Sequence, residues 1–186
     1  MRIISGNSKG KRLLEPKNKS TRPLKDLTKE SIFNIIQHSN KFKVDVVKSN
    51  ILDLFSGVGS FGLECLSREA KIVKFIEEDE KALKILKENL IKLSIADRAI
   101  LINGKIEDNL TKDKNKKYNI FFLDPPFSDT MFINNLNLIK ENRMYQKNHV
   151  VIIHRERGSK DNLEDIIVTI LTKKYGRSKI IFGTFI

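Results

Sequence analysis

ILDLFSGVGSFGLECL, residues 51–66, decides how this chain folds. Ile51–Phe55 is a short apolar run with one acid inside it, Asp53, and reads as a strand. The glycines of GVGSFG (57–62) then turn the chain into a helix reaching about Glu69. A strand, a glycine turn and a helix in succession are the opening of a βαβ unit.

Outward from it the pattern repeats. KIVKFI (71–76) is the next predicted strand. From Asp79 to Leu93, Ala82, Leu83, Ile85, Leu86, Leu90 and Leu93 recur at helical spacing. AILI (99–102), NIFFL (119–123) and HVVIIH (149–154) are three more strands, with a short helix near Ile106 and another over Met131–Ile139. IIVTIL (166–171) and KIIFGTFI (179–186) flank the turn signal KKYGRS and read as a closing hairpin. Apolar strands alternating with helices predict an α/β fold, a mostly parallel sheet covered on both faces. Before Asn50 the chain differs. Arg2–Ser5 and Arg12–Leu14 read as two short pairing strands in an irregular arm. Thr21–Pro23 then positions a helix carrying Leu27, Ile32, Phe33, Ile35 and Ile36.

The 186 residues suit one domain with an extension. We divide them into a basic arm with hairpin and helix, 1–49, and an α/β body, 50–186. The net charge is +12. The arm carries twelve Lys and Arg against four acids, whereas the body is nearly balanced. That asymmetry predicts a polyanionic partner, with RNA contact by the arm. One cysteine excludes an intrachain disulfide and fits a reducing compartment. The first residues lack the apolar core of a secretory signal, and no long apolar run reads as a membrane span. The expectation is a soluble cytoplasmic protein. His38, His149 and His154 are scattered without metal-ligand spacing, so no metal is expected.

Gly57 and Gly59, with Glu77 twenty residues past Gly57, meet the requirements of a nucleoside-cofactor loop. Glu77, at the end of the second strand, can accept from ribose hydroxyls. Asp53 narrows the choice. An acid there repels a pyrophosphate but suits the cationic ammonium of S-adenosylmethionine. Asp53 could equally orient loop amides, and the two roles are compatible.

FFLDPPF (121–127) ends the fourth strand at the edge where open α/β sheets bind ligands. An exocyclic base amine is a poor nucleophile because its lone pair is delocalised into the ring. Acceptors on its N–H groups localise that density. Asp124 offers a carboxylate, the Asp124–Pro125 link offers a carbonyl, and proline fixes their placement. Phe127 can stack on an extruded base.

D-P-P-F resembles the amino-methyltransferase motif, which alone fixes only amine methylation. MRIISGNSKGKRLLEP and TRPLKDLTKESIFNII are more specific. With LDLFSGVGSFGLECLSR, FIEEDE, FFLDPPF and the late Tyr175–Gly176 in the same order, the whole chain resembles the bacterial 16S rRNA guanine-N2 methyltransferases of the RsmD type. The resemblance implies a class I S-adenosylmethionine-dependent methyltransferase fold, Rossmann-like, with seven strands, the last one antiparallel. It implies methyl transfer to N2 of one guanine in 16S rRNA, within the small ribosomal subunit. Carried over, Asp53, Phe55, Gly57 and Gly59 surround the methionine end of the cofactor and Glu77 holds its ribose. Asp124, Pro125 and Phe127 form the base site. Arg2, Lys9, Lys11, Arg12 and Arg22 hold rRNA, although Arg22 equally suits helix capping or a pair with Asp26. Lys105 departs from the pattern, standing where many methyltransferases place an adenine-binding Asp. The Ile106 backbone N–H and apolar packing are then expected to hold the adenine.

Two rival readings share these residues. A DNA adenine-N6 methyltransferase uses the same corner but ordinarily carries a recognition domain for which 186 residues leave no room. A non-catalytic RNA-binding module on the same fold has no need of Asp124, Glu77 and the glycines. An NAD-linked enzyme is a weaker third, lacking a visible substrate domain.

Overall fold

The structure, a computed structural model, describes residues 1–16, 24–112 and 115–186. In chain order its elements are α1 (Asp26–His38), β1 (Asn50–Leu54), α2 (Ser60–Ser67), β2 (Ile72–Glu77) and α3 (Glu80–Leu93). They continue as β3 (Ala99–Asn103), α4 (Ile106–Lys112), β4 (Tyr118–Leu123) and α5 (Phe132–Glu141). β5 (Tyr145–Glu156), β6 (Ile167–Tyr175) and β7 (Ser178–Phe185) close the fold. The seven strands form one sheet in the order β3-β2-β1-β4-β5-β7-β6, and β7 runs antiparallel to both its neighbours. The chain reverses direction across the sheet at β1, between β2 and β4. That switch point opens a crevice at the strands' carboxyl ends.

Each strand is apolar on both sides because each sheet face is covered. Ile51, Phe75, Ile120 and Phe122 join one apolar cluster with Ile32 and Phe33 of α1, Phe61 of α2 and Leu86 of α3. Leu52, Leu54, Phe121 and Leu123 join the other with Leu110 of α4 and Phe132 and Leu136 of α5. Phe61 is sandwiched between Phe122 (ring centroids 4.1 Å apart) and Phe33 (5.2 Å), tying α1 through α2 to the sheet. Truncating such a ring costs about 3–5 kcal/mol.

The N-terminal segment belongs to this packing. Ile3 and Leu13 are buried in the first cluster, and a single antiparallel bridge, Arg2 to Arg12, replaces the expected pair of strands. Buried Glu64 of α2 explains how the segment is held. Its carboxylate accepts the backbone N–H groups of Ile4 (2.7 Å) and Ser5 (2.9 Å) and the Nε of Arg68 (2.9 Å). Nζ of Lys29, itself buried on α1, lies 3.7 Å away and donates to the Arg2 carbonyl at 2.7 Å. Burial lowers the Lys29 pKa, and Glu64 and Asp26 oppose that shift.

Several boundaries differ from expectation for local reasons. β5 begins at Tyr145 rather than His149, because Tyr145 pairs with Tyr118 across an irregularity in the ladder. α2 ends two residues early, where Glu69 turns left-handed at φ 68°. Leu27 faces solvent, and Thr28 and Lys29 take its place among the buried positions of α1. Arg22 lies outside the described residues. No helix among the described residues is long and apolar enough to cross a membrane.

Candidate active site

At the carboxyl end of β1 the chain must leave the sheet and enter α2 within a few residues. Phe55 does this in the left-handed region at φ 56°, rare for a bulky residue. Gly57 and Gly59 follow at φ 53° and 81°. A Cβ on Gly59 would lie 2.3 Å from Leu86 Cδ1, so a side chain there would displace α3. A Cβ on Gly57 would meet nothing within 4 Å, because Gly57 borders a cavity.

That cavity holds about 760 Å³, within the ordinary size of a small-molecule site. It brings together Asp53, Phe55, Gly57, Glu77, Lys105, Ile106, Asp124, Pro125 and Phe127. Gly59 is not in its lining, and its requirement is the packing just described. Leu24, Ser60 and Met131, which the motifs did not single out, also line it. Cys65 is buried and free, and burial pushes its thiol up, so it serves as packing.

Glu77 is fixed by the backbone. Its Oε2 accepts Gly57 N–H at 2.7 Å, and its Oε1 accepts the N–H groups of Glu78 (3.0 Å) and Asp79 (2.9 Å). A carboxylate has about four acceptor directions, so roughly one remains, on Oε2, for a ligand hydroxyl. Asp53 is almost wholly buried, and its Oδ2 accepts Gly62 N–H at 3.0 Å. Its Oδ1 and the Ser60 Oγ are buried at the cavity without a hydrogen-bond partner among the described residues. Burial pushes the Asp53 carboxyl well above the usual range, and the charges of Asp124 and Glu77 push the same way. A cationic ligand relieves all three, and a pyrophosphate aggravates them. The orphaned Asp53 Oδ1, Ser60 Oγ and half-engaged Glu77 therefore fit S-adenosylmethionine, which supplies an electrophilic methyl group on a sulfonium. Among the described residues no group of three or more His, Cys, Asp or Glu side chains could hold a metal.

The opposite wall is the corner after β4, and β5 stiffens it. Leu123 pairs with Ile153, so the next residues of both strands emerge side by side. His154 Nδ1 lies 2.8 Å from Asp124 Oδ1. An ionised carboxylate only accepts, so Nδ1 is the donor. The Phe127 ring stands edge-on to His154, centroids 5.9 Å apart. Arg155 is buried beneath the corner and donates to the carbonyls of Pro126 (3.1 Å) and Phe127 (3.2 Å). Its charge is met by Asp161, which accepts from Nε (3.2 Å) and from a terminal nitrogen (3.0 Å). Ser159 donates to the same carboxylate at 2.7 Å. Burial alone raises the Asp161 carboxyl, but the bonds from Arg155 and Ser159 outweigh it and hold the carboxyl below its usual range. Motif reading missed His154, Arg155 and Asp161. The only sequence signal was a basic pair, His-Arg, ending an otherwise apolar strand.

The basic residues expected to hold RNA do not gather at the cavity. Arg2 is exposed beside Asp26, and Arg12 gives its carbonyl to Lys92. Lys9 and Lys11 occupy the tip of the N-terminal turn. Asn7 of that turn donates to the carbonyl of Ser67, the last residue of α2. The glycine loop is at the other end of α2, roughly 12 Å away for a helix this long.

The strand order, the cationic-ligand site at the β1–β2 edge and the rigid acidic corner at β4 define a class I S-adenosylmethionine-dependent methyltransferase. The solved Escherichia coli protein yhhF has the same fold, with a TM-score of 0.84 at 27% identity over 100% of this chain and 97% of its own. The family model described as Conserved hypothetical protein 95 matches residues 1–184, and the chain belongs to that family. A relative from Buchnera aphidicola subsp. Baizongia pistaciae, named "Ribosomal RNA small subunit methyltransferase D", is 36% identical over 84% of this chain and 76% of its own. An RNA methyltransferase from Salinibacter ruber, solved with S-adenosyl-L-homocysteine, shares the fold alone: TM-score 0.64, 15% identity, 88% of this chain and 94% of its own.

Proposed function

We propose that the protein transfers a methyl group from S-adenosylmethionine to the exocyclic N2 of a guanine in small-subunit ribosomal RNA, in the bacterial cytoplasm where that subunit assembles. The observation that carries this reading is the single cavity shared by Asp53, Glu77 and the Asp124–Phe127 corner. The name of the Buchnera relative supports the substrate. Asp53 and Glu77 hold the ammonium and ribose ends of the cofactor. Gly57 and Phe55 shape the turn around it, and Lys105 and Ile106 line the adenine end. The Asp124 carboxylate and the carbonyl of the Asp124–Pro125 link accept from the guanine amine and localise its lone pair. Phe127 stacks on the extruded base, worth about 1–3 kcal/mol. Alignment with the methyl carbon supplies much of the rate.

In this reading residues 1–49 form the RNA-contacting part and residues 50–186 the catalytic part. Arg2, Lys9, Lys11, Arg12 and Arg22 neutralise phosphates. Replacing the first four with alanine is expected to lower the salt dependence of RNA binding by up to about 0.9 log units per contact.

The deciding experiment offers labelled S-adenosylmethionine with small-subunit rRNA, intact small subunits or duplex DNA, and identifies the modified nucleoside after digestion. N2-methylguanosine in rRNA or subunits is the expected product. N6-methyladenine in DNA rejects the reading, and RNA binding without transfer favours a non-catalytic module.

A further inference from the structure

We infer a second RNA phosphate-binding surface, on the rim formed by the loop after β5 and the β6–β7 turn, with Arg157, Lys160, Lys174 and Arg177 as its cations. The inference rests on the RNA-methyltransferase reading but concerns residues outside both the cavity and the N-terminal segment.

Three observations carry it. The four side chains are all exposed, and Glu156 is the one acid among them on the rim. The two loops move as one piece: Arg157 N–H donates to the Arg177 carbonyl at 2.9 Å, and Lys179 Nζ donates to the Ser159 carbonyl at 2.5 Å. Between them lies a shallow depression bordered by Arg157, Gly158, Lys174, Gly176 and Arg177. Finally, the rim joins the base corner directly. Asp161 of the same loop anchors Arg155, and Arg155 holds the carbonyls of Pro126 and Phe127. β5 ends, and the antiparallel β7 begins, at the sheet edge that carries the cavity. A strand whose base enters the cavity therefore has its flanking phosphates within reach of this rim. Lys9 and Lys11, at the far end of α2, lie off that path. Gly158 and Gly176 keep side chains out of the depression, so a backbone can approach closely. The charge, the concavity and the adjacency point to the sugar–phosphate backbone of RNA next to the target nucleotide.

The test compares wild type with an Arg157→Ala/Lys174→Ala/Arg177→Ala variant, binding a small-subunit rRNA fragment at several salt concentrations. A charge-matched control replaces Lys71, Lys84 and Lys87, exposed residues preceding β2 and on α3. Each lost single-strand phosphate contact flattens the slope of log K against log salt by about 0.7, so the rim variant is expected to lose about 2. Its RNA affinity should fall on the order of tenfold or more at moderate salt, with S-adenosylmethionine affinity and melting temperature unchanged. The control should lose a small fraction of that slope. An unchanged slope in the rim variant, an equal loss in the control, or no RNA binding by wild type overturns the inference. Methylation is scored in parallel. If wild type methylates rRNA while the rim variant keeps its slope, the surface fails and the functional reading stands. If the rim variant loses slope but wild type transfers no methyl to RNA, the surface stands and the functional reading fails.

Discussion

His154 Nδ1 lies 2.8 Å from Asp124 Oδ1, joining the last turn of β5 to the corner that ends β4. The bond spans thirty residues of sequence and is set by the parallel register of the two strands. It fixes the direction of a carboxylate that Pro125 already restrains from the other side.

Asp124→Ala is expected to lower methyl transfer by about 10²–10³-fold or more, the scale of removing one preorganised polar group. Binding of S-adenosylmethionine should persist. His154→Ala should cost about 10²-fold in kcat through misplacement of Asp124, with His154→Asn recovering part of it. Single-turnover kinetics with separate cofactor titrations checks both. Near-normal turnover in Asp124→Ala removes that residue from the chemistry.

Arg155 supports the same corner through two carbonyls. Lysine lacks the planar fork, so Arg155→Lys should lower transfer more than it lowers cofactor affinity. Arg155→Ala leaves Asp161 half-buried without its cation, and is expected to cost about 3–5 kcal/mol in denaturant unfolding. The Asp161 carboxyl is held low in the folded state. The pair's stabilisation is thus complete above the unfolded value of about 3.9 and lost as pH falls through the folded one. Asp161→Asn should accordingly weaken the dependence of stability on acid, as followed by melting temperature between neutral pH and pH 3.

Asp53 predicts the opposite pH behaviour. Its folded-state pKa is raised, so its contribution to stability is greatest below about 3.9 and declines as pH rises through the folded value. A bound cation favours the ionised form, so cofactor affinity should climb across the same window and binding should release a proton. Calorimetry in buffers of different ionisation heat measures the release. Asp53→Asn should abolish it and weaken binding, and a pH-independent affinity in wild type would falsify the assignment of Asp53 to the ammonium.

Glu64 holds the N-terminal segment. Glu64→Gln leaves Lys29 buried without its anion and mismatches one backbone donor, with an expected loss of about 3–5 kcal/mol. Amide hydrogen exchange of Ile4 and Ser5 should accelerate more than that of β4. Equal protection in mutant and wild type would show that the segment is held by Ile3 and Leu13 alone.

The elements of the cofactor half were legible in order because each is encoded locally. Ile51–Phe55 and the glycines specify a strand and a turn, and Glu77 follows at the next strand's end. Asp79 caps α3 by accepting the N–H groups of Lys81 and Ala82. The D-P-P-F corner was legible too, since proline restricts its own backbone and its neighbour's. The boundary of β5 and the outward face of Leu27 were not, because strand pairing and helix rotation answer to partners distant in sequence.

Hydrophobic alternation and turn chemistry thus determined the parts: seven strands, their helices, a glycine loop and an acidic corner. Only the tertiary structure decided that β5 lies beside β4 in a register bringing His154 and Arg155 under Asp124 and Phe127. It alone decided that Glu64 would bind the N-terminal backbone, and that Arg157 and Arg177 would share one rim. Such contacts arise from burying both sheet faces at once, and the free energy of that burial belongs to the assembled layers rather than to any segment of the chain.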